Sequence, residues 1–247
     1  MSEEMLSFWD KRAERFENFT DKRIKGVREL VDKIAPLVKN FKSAVVVDLG
    51  CGPGAPGKIL ESVLDSPIIG LDFSVSMLSL AKSRLKCLIR GDVFNLPFKR
   101  DSIAVIFCIN VLSDYAEKTR AYRQIYDSLK RGGAFFYADY SENDGFWDMN
   151  SKIYPLVFGM KSSVSREPLP KMEEDLRKIG FNIVSTHLIS FKMKITLEEY
   201  INHLSTRPES SFRKEKREVV EKIARSYISK NNEIGREFFF IHAQKLE

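Results

Sequence analysis

Short apolar runs rich in valine, isoleucine and phenylalanine alternate along the chain with longer stretches in which apolar residues recur every three or four positions. That alternation is the pattern of βαβ units around a parallel sheet. Five runs, at 43–48 (SAVVVD), 67–72 (PIIGLD), 87–92 (CLIRGD), 103–108 (IAVIFC) and 134–139 (AFFYAD), are bounded by turn or charged residues. Their nearly unbroken apolar character suits strands buried on both faces. Helical spacing fills 56–64, 74–85 and 118–130, the last followed by Arg131, Gly132 and Gly133, where glycine ends a helix. FNIVSTHLI after Gly180 and EFFFIHA after Gly235 read as two more strands, seven in all. The expected fold class is therefore α/β.

Three segments fall outside this rhythm. An N-terminal arm, 1–40, carries Phe8, Trp9, Phe16 and Phe19 at near-helical spacing among charges, which favours core packing over ligand contact. Insertions at 141–171 and 196–233 follow the common core of 41–140. Connections this long in a compact domain are usually lids or added structure. Trp147, Tyr154, Phe158 and Met160 would give such a lid an apolar surface for a small, partly apolar molecule. The whole, 1–247, is expected to be one domain, with 141–247 holding the substrate-side insertions and last strands.

Composition narrows the class. The 247 residues are 43% hydrophobic and 30% charged, as in ordinary globular chains, and no apolar run reaches membrane-spanning length. The N-terminus MSEEMLSFWDKR has no apolar signal segment, so a cytoplasmic location is expected. Cys51, Cys87 and Cys108 lack metal or disulfide spacing; no metal site is expected, and Cys87 and Cys108 read as buried small hydrophobes. A net charge of +6 admits nucleic acid as a partner without supporting it. Arg213, Lys214, Lys216 and Arg217 alternate with Glu215 and Glu218, the look of a solvated helix face.

The chemistry concentrates where the apolar strand Val45-Val46-Val47-Asp48 runs into Leu49-Gly50-Cys51-Gly52-Pro53-Gly54. Glycines there let the backbone turn sharply and a ligand lie against it. Gly52 to Gly57 satisfies G-x-G-x-x-G, so a dinucleotide site must be weighed. Asp48, two residues before the first glycine, would repel a pyrophosphate and suits a cationic ligand.

VVDLGCGPG resembles the first motif of the class I S-adenosylmethionine-dependent methyltransferases, and later segments continue the likeness in order over about 43–139. Asp72-Phe73-Ser74-Val75-Ser76-Met77-Leu78 is similar to that family's D-x-S-x-x-M-L; Gly91-Asp92-Val93, Leu96-Pro97-Phe98 and Leu129-Lys130-Arg131-Gly132-Gly133 follow, with Arg131 where the family has proline. The resemblance implies a three-layer αβα, Rossmann-like, mostly parallel seven-stranded sheet whose last strand is antiparallel. It implies S-adenosyl-L-methionine as cofactor, whose sulfonium and ammonium suit Asp48. The implied cofactor-binding residues are Asp48, Gly50, Gly52, Gly54, Asp72, Phe73, Met77, Asp92, Val93 and Asn110, with Asp72 on the ribose hydroxyls and Asp92 on the adenine amino group.

Transfer from a sulfonium needs mainly proximity, orientation and exclusion of water. Where the acceptor must lose a proton, the expected catalytic residues are Asp139 and Tyr140 at the end of the fifth strand, then Asp114 and Tyr115 after the fourth. His203 is a further candidate, while His187 and His242 fall in strands and read as structural. A small-molecule acceptor is expected, with no membrane partner. The alternatives are an RNA acceptor, tRNA included, and a non-catalytic S-adenosylmethionine-binding subunit. Oligomeric state is not encoded in any pattern found.

Overall fold

Apolar runs that must hide both faces can do so only inside a sheet covered on each side. The computed structural model describes residues 3–10, 13, 28, 31, 32, 36, 44–112, 115, 117–158, 166–205 and 214–246. Its strands are β1 (Val46–Leu49), β2 (Ile68–Asp72), β3 (Cys87–Arg90), β4 (Ile103–Ile109), β5 (Leu129–Tyr140), β6 (Phe181–Lys194) and β7 (Glu233–Lys245). They form one seven-stranded sheet in the order β3-β2-β1-β4-β5-β7-β6. The pairs among β1 to β5 are parallel, and the last strand is antiparallel. The expected α/β architecture is present. Helices are α1 (Glu3–Asp10), α2 (Ala55–Leu64), α3 (Val75–Ala81), α4 (Lys118–Ser128), α5 (Gly145–Phe158), α6 (Leu169–Ile179), α7 (Leu197–Ser205) and α8 (Lys214–Tyr227). None of the described helices is long and apolar enough to cross a membrane.

Position in the sheet decides how the strands are buried. Central β4 is buried at every residue but Ala104, whereas edge strand β3 leaves both its ends exposed. Cys87 therefore lies exposed, against the expectation of a buried hydrophobe, because an edge strand has a neighbour on one side only. Cys108 in β4 is buried as expected.

Two helix ends differ from the periodicity. The helix expected over 118–130 stops at Ser128, and Leu129 is already extended (φ −71°, ψ 139°) and in register with Ile103. Burying Leu129 in the sheet outweighs one more helical turn. The glycine pair then lies within β5, with Gly132 left-handed at φ 73°. The helix expected over 74–85 ends at Ala81, and the chain tightens so that Arg84 and Leu85 N–H both reach Ala81 O at 2.9 Å. Leu85 turns inward and fills the space beside Gly54, Gly57 and Gly70: a Cβ at those glycines would lie 3.3, 3.1 and 2.8 Å from it.

The chain divides into two compact units, one of Met1–Asp139, Pro170–His187 and Phe240–Glu247, the other of Tyr140–Leu169 and Leu188–Phe239. The first holds the parallel sheet. Its sheet interior is aromatic: Phe107 and Phe240 stack on Phe136 at 5.0 and 5.8 Å, and His242 lies on the same ring at 4.5 Å. The second has its own core, in which Met149, Ile153 and Val157 of α5 meet Tyr200, Ile201 and Leu204 of α7 and Val220 and Ala224 of α8. The two insertions are thus helices that bury one another. Of the arm aromatics, Trp9 is half-buried; Phe16, Phe19 and the Phe8 side chain lie outside the described residues, as do Met160 and the Phe158 side chain.

The C-terminal strand is fastened by a buried cation. Lys245 Nζ donates to Leu129 O at 2.9 Å, Tyr126 O at 3.0 Å and Asp101 Oδ1 at 2.7 Å, holding the α4–β5 junction. Lys245→Met strands two carbonyls and is expected to cost about 2 kcal/mol, measured as a lowered urea midpoint at unchanged slope.

Candidate functional site

The strand order reverses between β1 and β4, and the loop after β1 lies at that switch point, where open α/β sheets bind ligands. Gly50, Gly52 and Gly54 all hold left-handed backbone, with φ of 71°, 50° and 85°, a region costly to residues with a Cβ. At Gly50 space forbids one as well: its Cβ would lie 2.4 Å from Val111 Cγ2. Gly50 and Cys51 N–H donate to Leu71 O at 2.7 and 3.0 Å. The turn is therefore tied across to the end of β2 before it enters α2.

Asp72 ends β2 and completes that tie. Its Oδ2 accepts from Gly52 N–H and its Oδ1 from Ser74 N–H, both at 2.9 Å. Burial raises the Asp72 carboxyl, the Ser74, Gly52 and Phe73 amides oppose that rise, and the nearby Asp10 charge adds to it. Ser74 caps α3 as the spacing predicted, its Oγ accepting from Met77 N–H at 3.1 Å. Met77 is buried, and its sulfur lies 4.0 Å from where a Gly52 side chain would begin, which brings it to the glycine turn. Phe73 is partly exposed, and its carbonyl accepts from Arg90 Nε at 3.3 Å.

Asp48 lies beneath the turn. It is 1% exposed, and Oδ2 would sit 2.8 Å from a Cβ at Gly57, in the first turns of α2. Only glycine there leaves room for the carboxylate. That oxygen has no hydrogen-bond partner among the described residues. Burial pushes the Asp48 carboxyl up to about 7, with the Gly57 amide opposing and the Asp72 charge reinforcing the rise.

Asn110 follows β4 in left-handed backbone (φ 58°). Its N–H donates to Ala138 O at 2.9 Å, while its Oδ1 is buried without a partner among the described residues. A strained backbone and an unsatisfied buried acceptor at one residue are what ligand sites retain. Asp92 forms an Asx turn, Oδ1 accepting from Phe94 N–H at 2.9 Å, which is the turn chemistry G-D suggests. Val93 beside it is buried.

Asp139 and Tyr140 are neighbours in β5, so their side chains leave the strand on opposite faces. Asp139 is buried at the carboxyl end of the strand. Tyr140 belongs to the second unit, its ring 4.4 Å from Phe238 and 4.4 Å from the Arg236 guanidinium. Arg236 is in turn paired to fully buried Asp144 at 2.8 Å. Asp114 lies outside the described residues; Tyr115 packs edge-on to Phe94 at 5.1 Å. His203 is in α7 of the second unit, and His187 and His242 are in β6 and β7. Trp147 carries Arg166 over its ring at 4.0 Å, so it is not a bare apolar surface.

Sequence reasoning missed Asp10. Its carboxylate accepts from the Ser74 hydroxyl and from Ser76 N–H, joining α1 to the loop after β2. Periodicity carries no signal for a contact between residues so distant in the chain.

Residues 47–137 match the methyltransferase domain family model. The chain is 26% identical over 152 residues to a sterol 24-C-methyltransferase of Clavispora lusitaniae, covering 56% of this chain and 40% of that protein. It is 27% identical over 153 residues to a phthiotriol/phenolphthiotriol dimycocerosates methyltransferase of Mycobacterium tuberculosis, covering 59% and 56%. The chain thus spans about half or less of the length of these curated relatives. Among solved structures, a SAM-dependent methyltransferase from Thermotoga maritima superposes with a TM-score of 0.62 at 17% identity, covering 98% of this chain and 99% of that one. That likeness is one of fold.

The Asp48 environment fixes a pH dependence. Its folded pKa of about 7 exceeds the ordinary 3.8, so folding takes up a proton between those values. Stability from this group is full below about pH 4 and is lost as pH rises through about 7. Asp48→Asn is expected to match wild type only below about pH 4, to exceed it by about 1.5 kcal/mol at pH 5 and by up to about 4 kcal/mol at pH 8, measured by urea unfolding across that range.

Proposed function

We propose that this chain, whose residues 47–137 form a class I methyltransferase domain, transfers a methyl group from S-adenosylmethionine to a small-molecule acceptor. The observation that carries the reading is the left-handed glycine turn tied to Asp72, with the buried, unpaired Asn110 Oδ1 at the neighbouring strand end. The donor set fits the cofactor. Asp72 has acceptor positions left for two vicinal hydroxyls, and the buried Asp48 carboxylate under the turn favours a cation over a pyrophosphate. Gly50, Gly52 and Gly54 let a ligand lie on bare backbone; Met77, Phe73 and Val93 line the adenosine side, Asp92 faces the base, and Asn110 offers its Oδ1 to a donor of the ligand.

When bound, the cofactor supplies an electrophilic methyl on an already activated leaving group. This chain then needs to hold the acceptor in line and keep water away. Proton removal, where the acceptor requires it, falls to Asp139, which lies at the carboxyl end of β5 where such sheets bind ligands. Tyr140, packed with Phe238 and Arg236, orders the start of the second unit. The small-molecule acceptor is supported by the sterol and phthiotriol relatives and by basic residues of α8 that pair locally, such as Arg217 with Glu221 at 2.7 Å. The RNA alternative has no comparable support.

Isothermal titration with S-adenosylmethionine, S-adenosylhomocysteine and NAD tests this. Wild type is expected to bind the first two and not NAD, and Asp72→Ala to weaken both at least about tenfold; binding of NAD alone overturns the reading. At pH 7, S-adenosylmethionine binding is expected to release protons from Asp48, seen as heats that vary with buffer ionisation enthalpy and lose that dependence in Asp48→Asn.

A further inference from the structure

Ser74 stands between two carboxylates. Its N–H donates to Asp72 Oδ1 at 2.9 Å, and its hydroxyl donates to Asp10 Oδ1. The same Asp10 oxygen takes Ser76 N–H at 3.3 Å. Asp10 is the last residue of α1, yet it completes the first turn of a helix that starts 65 positions later, at Val75. Arg90 Nε holds Phe73 O at 3.3 Å, so the short loop after Asp72 is gripped by a carboxylate and by a guanidinium. Burial alone would raise the Asp10 carboxyl; the Ser74 hydroxyl and Ser76 amide, with the Arg90 charge, bring it below the usual carboxylate range. Asp10 is thus ionised at neutral pH and acts as an acceptor.

We propose that Asp10 is a positioning residue for the nucleoside, which keeps the Asp72 carboxylate open to a vicinal diol by taking the Ser74 hydroxyl proton. The proposal rests on the methyltransferase reading above. A serine hydroxyl has one proton to give. Committed to Asp10, it cannot go to Asp72, whose oxygens then accept from backbone amides alone: Gly52 on Oδ2 and Ser74 on Oδ1, with the Phe73 amide beside them. The carboxylate thereby keeps its remaining acceptor capacity for the hydroxyls of the ligand. With Asp10 gone, the Ser74 hydroxyl stands beside a carboxylate that already holds its own amide, and competes with the ligand for it. Docking of α1 and recognition of the ribose become one event.

The test compares S-adenosylhomocysteine with its 2′-deoxy analogue by isothermal titration, so that the readout is the preference for the hydroxyl and not affinity alone. Wild type is expected to prefer the diol by about tenfold or more. Asp10→Ala should bring that preference close to parity, and Asp10→Asn, which keeps an acceptor, should restore most of it. Adding Ser74→Ala to Asp10→Ala removes the competing proton and should also restore the preference, a recovery that a purely structural role for Asp10 would not produce. The proposal is overturned if Asp10→Ala weakens both ligands by one factor with the preference intact, if it leaves wild-type behaviour, or if the double variant shows no recovery. Wild type binding neither ligand overturns the methyltransferase reading, and the proposal with it.

Discussion

The site depends on one constraint, the tie between the ends of β1 and β2. Leu71 O receives two successive amides from the glycine turn, and Asp72 receives a third from Gly52. Those bonds can form only if the backbone after Leu49 passes through left-handed conformations that L side chains resist. Everything beneath is shaped to permit this. Val111 fills the space a Gly50 side chain would need, Leu85 leaves its helix to pack below, and Gly57 gives way to the Asp48 carboxylate. The packing around the turn leaves no room for a side chain at Gly50 or Gly57.

Electrostatics at the site follow from the same packing. Two carboxylates, Asp48 and Asp72, are buried within mutual influence and both are raised by loss of water. Asp72 is offset by backbone amides on each oxygen, whereas Asp48 keeps an oxygen with no partner among the described residues. A buried carboxylate with one oxygen unsatisfied holds its charge only at a cost in stability. A cationic group placed beside the turn would offset that cost.

Features encoded by neighbouring residues were legible in the sequence: the glycine turn, the Ser74 cap, the βαβ rhythm and the positions of Asp48, Asp72 and Asn110. Features set by distant partners were not. The helix before Leu129 stops because Ile103 and Lys245 claim that residue for the sheet, and neither lies in its sequence window. Cys87 looks like its buried neighbours until its strand is placed at an edge. Asp10 reads as one more charge in a helical arm because Ser74 is 64 residues away.

The second unit is built from two stretches of chain that leave the first and return to it, and it closes on its own core. Its interior is lined by residues of that unit alone, and none of them belongs to the glycine turn. Natural variation can therefore act on the two at different rates. In a lineage of such proteins, the segments 140–169 and 188–239 can change together around their shared core while the residues that hold the glycine turn keep to their own constraints.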